Sequence, residues 1–304
     1  MKIINNKGDT FYLYKELDEG IIFVKTDDYK FTLIKTTMDN FINKNIYKPE
    51  KRSNDNRVGL TYMNNKNELM TIIEYINSSN ITIEFNDKHK ARVKTTFTNF
   101  KRGEVINPYN PSYYGKGYIG EGYKPSKNDK IMQCWSNMLK RVYNENYLKL
   151  HPTYKHCSVC DEWLNFQNFY NWYIENYYTV DDHIMCLDKD ILIKGNKIYS
   201  PSTVMFVPQF INKIFTKRDN DRGEYPIGVH KHSNRFVAGC SVYDHVDNKH
   251  YVYRIGSYDN PNDAFLAYKE YKEKYIKFIA NVYKDKIPFK LYNTLINYRV
   301  DIND

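Results

Sequence analysis

Two short apolar-rich stretches lie near the start of the chain, Ile21-Ile22-Phe23-Val24 and Ile81-Thr82-Ile83-Glu84-Phe85, the second of which alternates apolar with polar. Asp27-Asp28 follows the first and Asn86-Asp87 the second. A period of two closed by turn-forming residues predicts strands joined by hairpins. Each stretch has a later echo: Phe41-Ile42-Asn43-Lys44-Asn45-Ile46-Tyr47-Lys48-Pro49 in one case, Phe100-Lys101-Arg102-Gly103-Glu104-Val105-Ile106-Asn107-Pro108-Tyr109 in the other. The ordered echo predicts two copies of a small, curled β-unit, over residues 1–50 and 67–125. Residues 50–67 are polar, lack apolar spacing and read as a linker. Residues 107–123 are dense in Gly, Pro and Tyr, which excludes a helix. Such a stretch suits either close approach of backbone to phosphate, with tyrosines stacking, or an ordered connector wrapped over a core. No Gly-Lys-Ser/Thr closes it, so it is not a P-loop.

The period changes at Asp129. Ile131, Met132, Trp135, Met138, Leu139 and Val142 recur at spacings of three and four, which predicts a helix with one buried face. A second helix is expected over residues 163–173. Further on, Gly228-Val229-His230-Lys231-His232-Ser233-Asn234-Arg235-Phe236-Val237-Ala238-Gly239-Cys240-Ser241-Val242 and Tyr251-Val252-Tyr253-Arg254-Ile255-Gly256-Ser257-Tyr258 read as two or three strands. Asn260-Pro261 then caps a helix whose buried face is expected to carry Ala264, Ala267, Tyr268, Tyr271, Tyr275 and Phe278. The fold class is therefore α+β and multidomain: the repeated β-units, a core over 126–215, a three-stranded sheet plus helix over 223–290, and a tail over 291–304.

At 304 residues the chain has room for two or three domains, and 41% hydrophobic content is enough for packed cores. It has no run of about 18 apolar residues and no apolar leader after Met1, so the expectation is a cytoplasmic protein with no membrane partner. The net charge of +9 favours an anionic partner. Residues 1–125 carry 20 basic and 15 acidic side chains, residues 126–212 nine of each, and residues 213–304 carry 16 and 12. Basic flanks around a neutral centre suit either a protein that grips phosphate at both ends or an ordinary basic surface. Five cysteines argue against a disulfide framework. Only Cys157-Ser158-Val159-Cys160 has ligand spacing. A second such pair is missing, so free thiols are expected rather than a structural zinc site, although His151, His156, His183 and Cys186 are in principle able to complete one.

Two blocks resemble parts of a common phage HNH-endonuclease family. Trp135-Ser136-Asn137-Met138-Leu139-Lys140-Arg141-Val142-Tyr143 and Val159-Cys160-Asp161-Glu162-Trp163-Leu164-Asn165-Phe166-Gln167-Asn168-Phe169-Tyr170-Asn171-Trp172 resemble its front half. Leu187-Asp188-Lys189-Asp190, Gly195-Asn196, Tyr199-Ser200-Pro201-Ser202-Thr203-Val204-Met205-Phe206-Val207-Pro208 and Asn212 resemble its ββα-metal half. The resemblance covers residues 130–215 and implies a phage-encoded or mobile-element protein. In that family one divalent metal, here Mg²⁺ or Mn²⁺, stabilises the phosphorane-like transition state, and a histidine beside the first ligand activates water. Carried over, Asp188 and Asn212 fall at the metal ligands, Lys189 at the general base and Thr203 at the middle asparagine that pins the loop. Two of the four depart from the pattern. A lysine is protonated at neutral pH unless burial lowers its pKa by several units, and threonine donates one hydrogen bond where asparagine donates more. His183 is the alternative base. A plain loop network at a strand end also accounts for Asp188, Asp190 and Asn212.

The segment 223–286 resembles the APETALA-type (ethylene-response-factor) DNA-binding domain, whose sheet lies in the major groove. That resemblance implies that His230, Lys231, Arg235 and Arg254 face double-stranded DNA, the arginines being suited to guanine edges or phosphate. The other reading is a small α+β domain with a solvated outer face. Three functional classes follow: a metal-dependent nickase or endonuclease, a non-catalytic DNA-binding protein on the same scaffold, and a virion-associated interaction protein.

Overall fold

A computed structural model describes residues 1–16, 21–26, 33–47, 57–126, 128–215, 224–244, 247 and 249–302. The chain is mixed α+β and divides into two compact units. The first holds residues 1–112 and 118–123, the second residues 113–117 and 124–304.

The first unit is one antiparallel meander of eight strands. β1 (Lys2–Ile4), β2 (Thr10–Glu16), β3 (Ile21–Thr26) and β4 (Leu33–Thr37) are followed by α1 (Met38–Ile42). β5 (Thr61–Met63), β6 (Leu69–Asn77), β7 (Asn80–Phe85) and β8 (Arg92–Thr95) are followed by α2 (Phe97–Arg102). The two sets correspond residue by residue at an offset of 59 (64 minus 5). Asn5 and Asn64 are both buried, and each donates its Nδ2 to a distant carbonyl, Ile46 O at 2.7 Å and Val105 O at 3.1 Å. Each also accepts two backbone N–H groups through Oδ1, from Lys7 and Asp9 in one copy and from Lys66 and Glu68 in the other. Thr37 and Thr96 cap the two helices. Phe41 and Phe100 fill the matching positions of two hydrophobic cores. Even the irregularities match, at Leu13/Lys15 and Ile72/Glu74.

β5 lies inside the expected linker, whose residues 50–56 fall outside the described residues, as do Asp27, Asp28, Lys48 and Pro49. Periodicity missed β5 because a three-residue strand is too short to display a period.

The second unit begins with the Gly/Tyr stretch. A Cβ on Gly117 would collide with Leu139 and Trp135, so this backbone presses against α3 (Lys130–Tyr143), capped by Asp129. The close approach that the glycine permits is to a helix, and it orders a connector. α4 (Glu145–Leu150), β9 (Ser158–Val159) and α5 (Phe166–Asn176) follow, then β10 (Met185–Asp188), β11 (Ile198–Tyr199), β12 (Met205–Pro208) and α6 (Gln209–Ile214). β10 pairs antiparallel with β12, and β9 parallel with β11. β13 (Val229–His232), β14 (Arg235–Asp244) and β15 (Lys249–Tyr258) form an antiparallel sheet backed by α7 (Pro261–Val282).

One apolar core spans Val207, Phe210 and Ile211, Tyr243, Ile276 and Ile279 of α7, and Leu291 and Leu295. The last two belong to α8 (Phe289–Ile296), so the expected tail is a packed helix, and Val300 beyond it is buried under the sheet. Phe278 is exposed, contrary to expectation, because α7 turns its lower half, Ile276, Ile279 and Ala280, toward α6 and α8. The face that packs beneath the sheet and the face that packs on the helices are not in line.

Candidate functional site

β10, β12 and α6 make a two-stranded hairpin followed by a helix, and four side chains of the proposed catalytic set sit on it or on its loop. Asp188 ends β10, opposite Met205. Its Oδ1 accepts the backbone N–H groups of Asp190 (2.8 Å) and Ile191 (2.7 Å), a turn that an aspartate makes with its own chain. Its other oxygen has no partner among the described residues. Burial pushes the Asp188 carboxyl above the usual range, and Asp190 adds to that.

Asn212, on α6, is hydrogen-bonded to the side chain of Cys186, two residues before Asp188 and so on the same face of β10. Strand and helix thus bring Asp188, Cys186 and Asn212 to one face of the motif. Burial raises the Cys186 thiol, opposed by the positive charge of Arg141. Arg141 reaches in from α3 and is hydrogen-bonded to Tyr199.

Lys189 is buried, with 7% exposure, and its ammonium is committed. Nζ donates to Asp190 Oδ2 at 2.6 Å and to Asn196 O at 2.9 Å, while Asn196 Nδ2 returns a bond to Lys189 O at 2.9 Å. The position that the resemblance gives to a general base is therefore an ion-paired clamp of the loop. Thr203 Oγ1 donates to Ile198 O (2.6 Å) and lies 2.8 Å from Ser200 Oγ, closing the other end of that loop.

His183 is not brought to this site. It precedes β10, whose three steps from Met185 to Asp188 span roughly 10 Å, and its ring packs on Phe210, 4.5 Å away, at the opposite end of the hairpin. The five cysteines are free thiols, and among the described residues no three His, Cys, Asp or Glu side chains gather as a metal-ligand cluster.

The sheet residues divide by strand alternation. Val229 packs under the sheet against α7, so His230 points to the outer face and Lys231, like Val229, to the helix side. The expected pairing of His230 with Lys231 on one DNA-facing surface does not hold. Arg254 lies opposite Gly239 on the outer face, is exposed, and has no hydrogen-bond or ion-pair partner among the described residues. Arg235 is exposed too, but donates to Ser257 O (3.0 Å) and pairs with Asp259 at 3.3 Å.

The far end of the outer face is covered: Tyr243 stacks on Phe210 of α6 at 4.8 Å. Between the sheet and α6 runs a groove of about 1510 Å³, bordered by His230, Gly239, Ser241 and His250 on the sheet and by Lys213 on α6. Sequence reasoning considered Cys186 only as a possible zinc ligand and not beside Asp188, where the spacing of two was the signal; Arg141, Lys213 and His250, which it did not single out, depend on packing between distant segments.

Compared with protein-family models, with curated proteins and with solved structures, the chain matches none.

Proposed function

We propose that this chain is a DNA-binding protein built on an HNH-type ββα motif, of the phage or mobile-element kind its sequence resembles, in which phosphodiester cleavage is slow or lost. The observation that carries the reading is the β10–β12–α6 motif, with a desolvated Asp188 carboxylate and Asn212 on one face. The outer face of the β13–β15 sheet, with the exposed Arg254, is the second DNA-contacting element. A basic chain supplies the long-range attraction.

The donor set suits Mg²⁺ or Mn²⁺: Asp188 has a carboxylate oxygen without a partner among the described residues, Asn212, bonded to Cys186, carries an amide oxygen on the same face, and hard cations of this kind complete their shell with water and substrate phosphate. When bound, such an ion would neutralise charge developing on the phosphoryl oxygens. The protein's own part is to hold Asp188 by two backbone N–H groups and to keep the loop closed through Lys189 and Thr203. Neither candidate base is free to take a proton from water beside Asp188: Lys189 is paired, and His183 lies at the other end of the hairpin. That arrangement favours a non-catalytic or feeble enzyme, since a positioned base contributes about 10²–10⁴-fold.

The test is incubation with supercoiled plasmid and Mg²⁺ or Mn²⁺ beside a duplex-binding assay. Asp188→Asn is the appropriate control, because it keeps the oxygen that accepts the two backbone N–H groups, whereas Asp188→Ala would also loosen the loop. Duplex binding with little or no nicking, and any nicking abolished by Asp188→Asn, is the expected result. Failure to bind any duplex sinks the reading.

A further inference from the structure

Within the groove between the outer sheet face and α6, His250 stands out. Neither of its ring nitrogens has a hydrogen-bond partner among the described residues, and both are buried. An imidazole in that condition forfeits its hydrogen bonds to water without replacement. Its charged neighbours are cationic. Lys213 of α6 and Lys272 of α7 both border the same groove, and burial, followed by these two charges, holds the His250 pKa below its ordinary value. Lys272 is itself buried and donates to Ile214 O at 2.7 Å, the carbonyl at the end of α6, which leaves part of its donor capacity unspent. Of the acidic residues that border the groove, Asp181 is taken up by Lys286 at 2.8 Å and Asp182 is exposed at the rim. Two ammonium groups and an unsatisfied imidazole, around a cleft into which none of the described residues aims a carboxylate, make a receptor for a compact oxyanion.

We propose that His250, Lys213 and Lys272 form a phosphate-binding site, occupied by a backbone phosphate of bound nucleic acid. The assignment to nucleic acid rests on the DNA-binding reading above; the oxyanion chemistry does not. The site is assembled from the outer sheet face, the ββα helix and α7. A phosphate seated there would fix the path of a strand between the sheet and the candidate metal motif.

The test uses the full chain and two variants, His250→Phe and Lys213→Gln. His250→Phe keeps a ring against Tyr243, 5.1 Å away, and removes both nitrogens, so it should fold as well as the parent. In a duplex-binding titration over salt, Lys213→Gln should lower the log–log slope by about 0.9, the value of one phosphate contact, and His250→Phe, which removes no charge, should weaken binding at every salt concentration. In a thermal-shift assay at constant ionic strength, inorganic phosphate should raise the melting temperature of the parent above that in chloride and should not do so for His250→Phe. A Lys213→Gln variant that folds and keeps the parental slope, with no phosphate effect on the parent, overturns the site while leaving the DNA reading intact. A parent that responds to phosphate through His250 yet binds no duplex keeps the oxyanion site and removes the DNA reading.

Discussion

Lys189 carries a positive charge into a nearly closed site, and what it does there follows from its partners. The ammonium bridges Asp190 and the Asn196 carbonyl, and the Asn196 side chain closes the ring of bonds back to Lys189 O and to Ile198 O. Loss of a hydrogen bond to a charged group costs about 1.5–3 kcal/mol when a partner is left buried, but Asp190 is half-exposed and water can replace part of what is lost. Lys189→Met, which keeps the stem and removes the charge, should therefore destabilise the protein by about 1–2 kcal/mol. Chemical denaturation reads this directly; an unchanged midpoint would mean that the clamp contributes nothing. Lys189→His restores the base found in the resembling family, but it shortens the side chain and breaks the same two bonds. It should lose stability by a similar amount and gain little cleavage. A robust, Asp188-dependent rise in nicking would contradict that geometry.

Duplication is the fact that organises the first unit at the level of elements. Each copy uses one buried asparagine to tie the loop after its first strand to the chain beyond its helix, through Ile46 O in one copy and Val105 O in the other. Asn64→Leu would leave the N–H groups of Lys66 and Glu68 and the Val105 carbonyl without this partner, and should cost about 1–3 kcal/mol. Asn5→Leu should act alike in its own copy. A double-mutant cycle in which the two costs add within about 0.5 kcal/mol would fit two independent pins.

The echo of the two copies was legible in the sequence because apolar-rich stretches, Asp/Asn turns and Phe–Pro stretches recur in the same order. The buried asparagines were not, since a polar residue in a turn and a polar residue in a core look identical until the partner carbonyl, 41 residues away, is known. The same reason separates what was read from what was missed at the candidate site. Asp188 and Asn212 stand in a local motif, which is why the sequence alone offers them as candidates; His250 acquires its setting from α6 and α7, which no local pattern records. Lys231 was placed on the wrong face because adjacent strand residues were taken together, where the pleat sends them to opposite sides.

At the scale of the molecule, the two units differ in how they should respond to alkali. Burial pushes the Cys134 thiol from 9.0 up to about 12 and the Tyr275 phenol from 10.0 up to about 12, and raises Tyr173, Tyr178 and Tyr199 as well, all in the second unit. In the first unit Tyr109 is raised, by burial and then by Glu121. A group whose folded pKa exceeds its unfolded one contributes stability that is fully present below the unfolded value and is lost as pH climbs through the folded one. The second unit should therefore be indifferent to alkali up to about pH 9 and lose stability progressively from there toward pH 12, where the unfolded chain releases protons that the folded chain retains. Trp135, Trp163 and Trp172 all lie in this unit, so tryptophan fluorescence follows its unfolding alone. The midpoint temperature detected this way should hold steady between pH 7.5 and 8.5 and fall steadily from pH 9 to 11. Tyr275→Phe should shallow that fall, even though it removes the phenol oxygen that accepts the Tyr243 N–H at 2.7 Å and so lowers stability at neutral pH. A midpoint that stays flat to pH 11 would mean that these side chains reach water freely in the folded protein, and that the second unit is packed more loosely than its buried aromatic core implies.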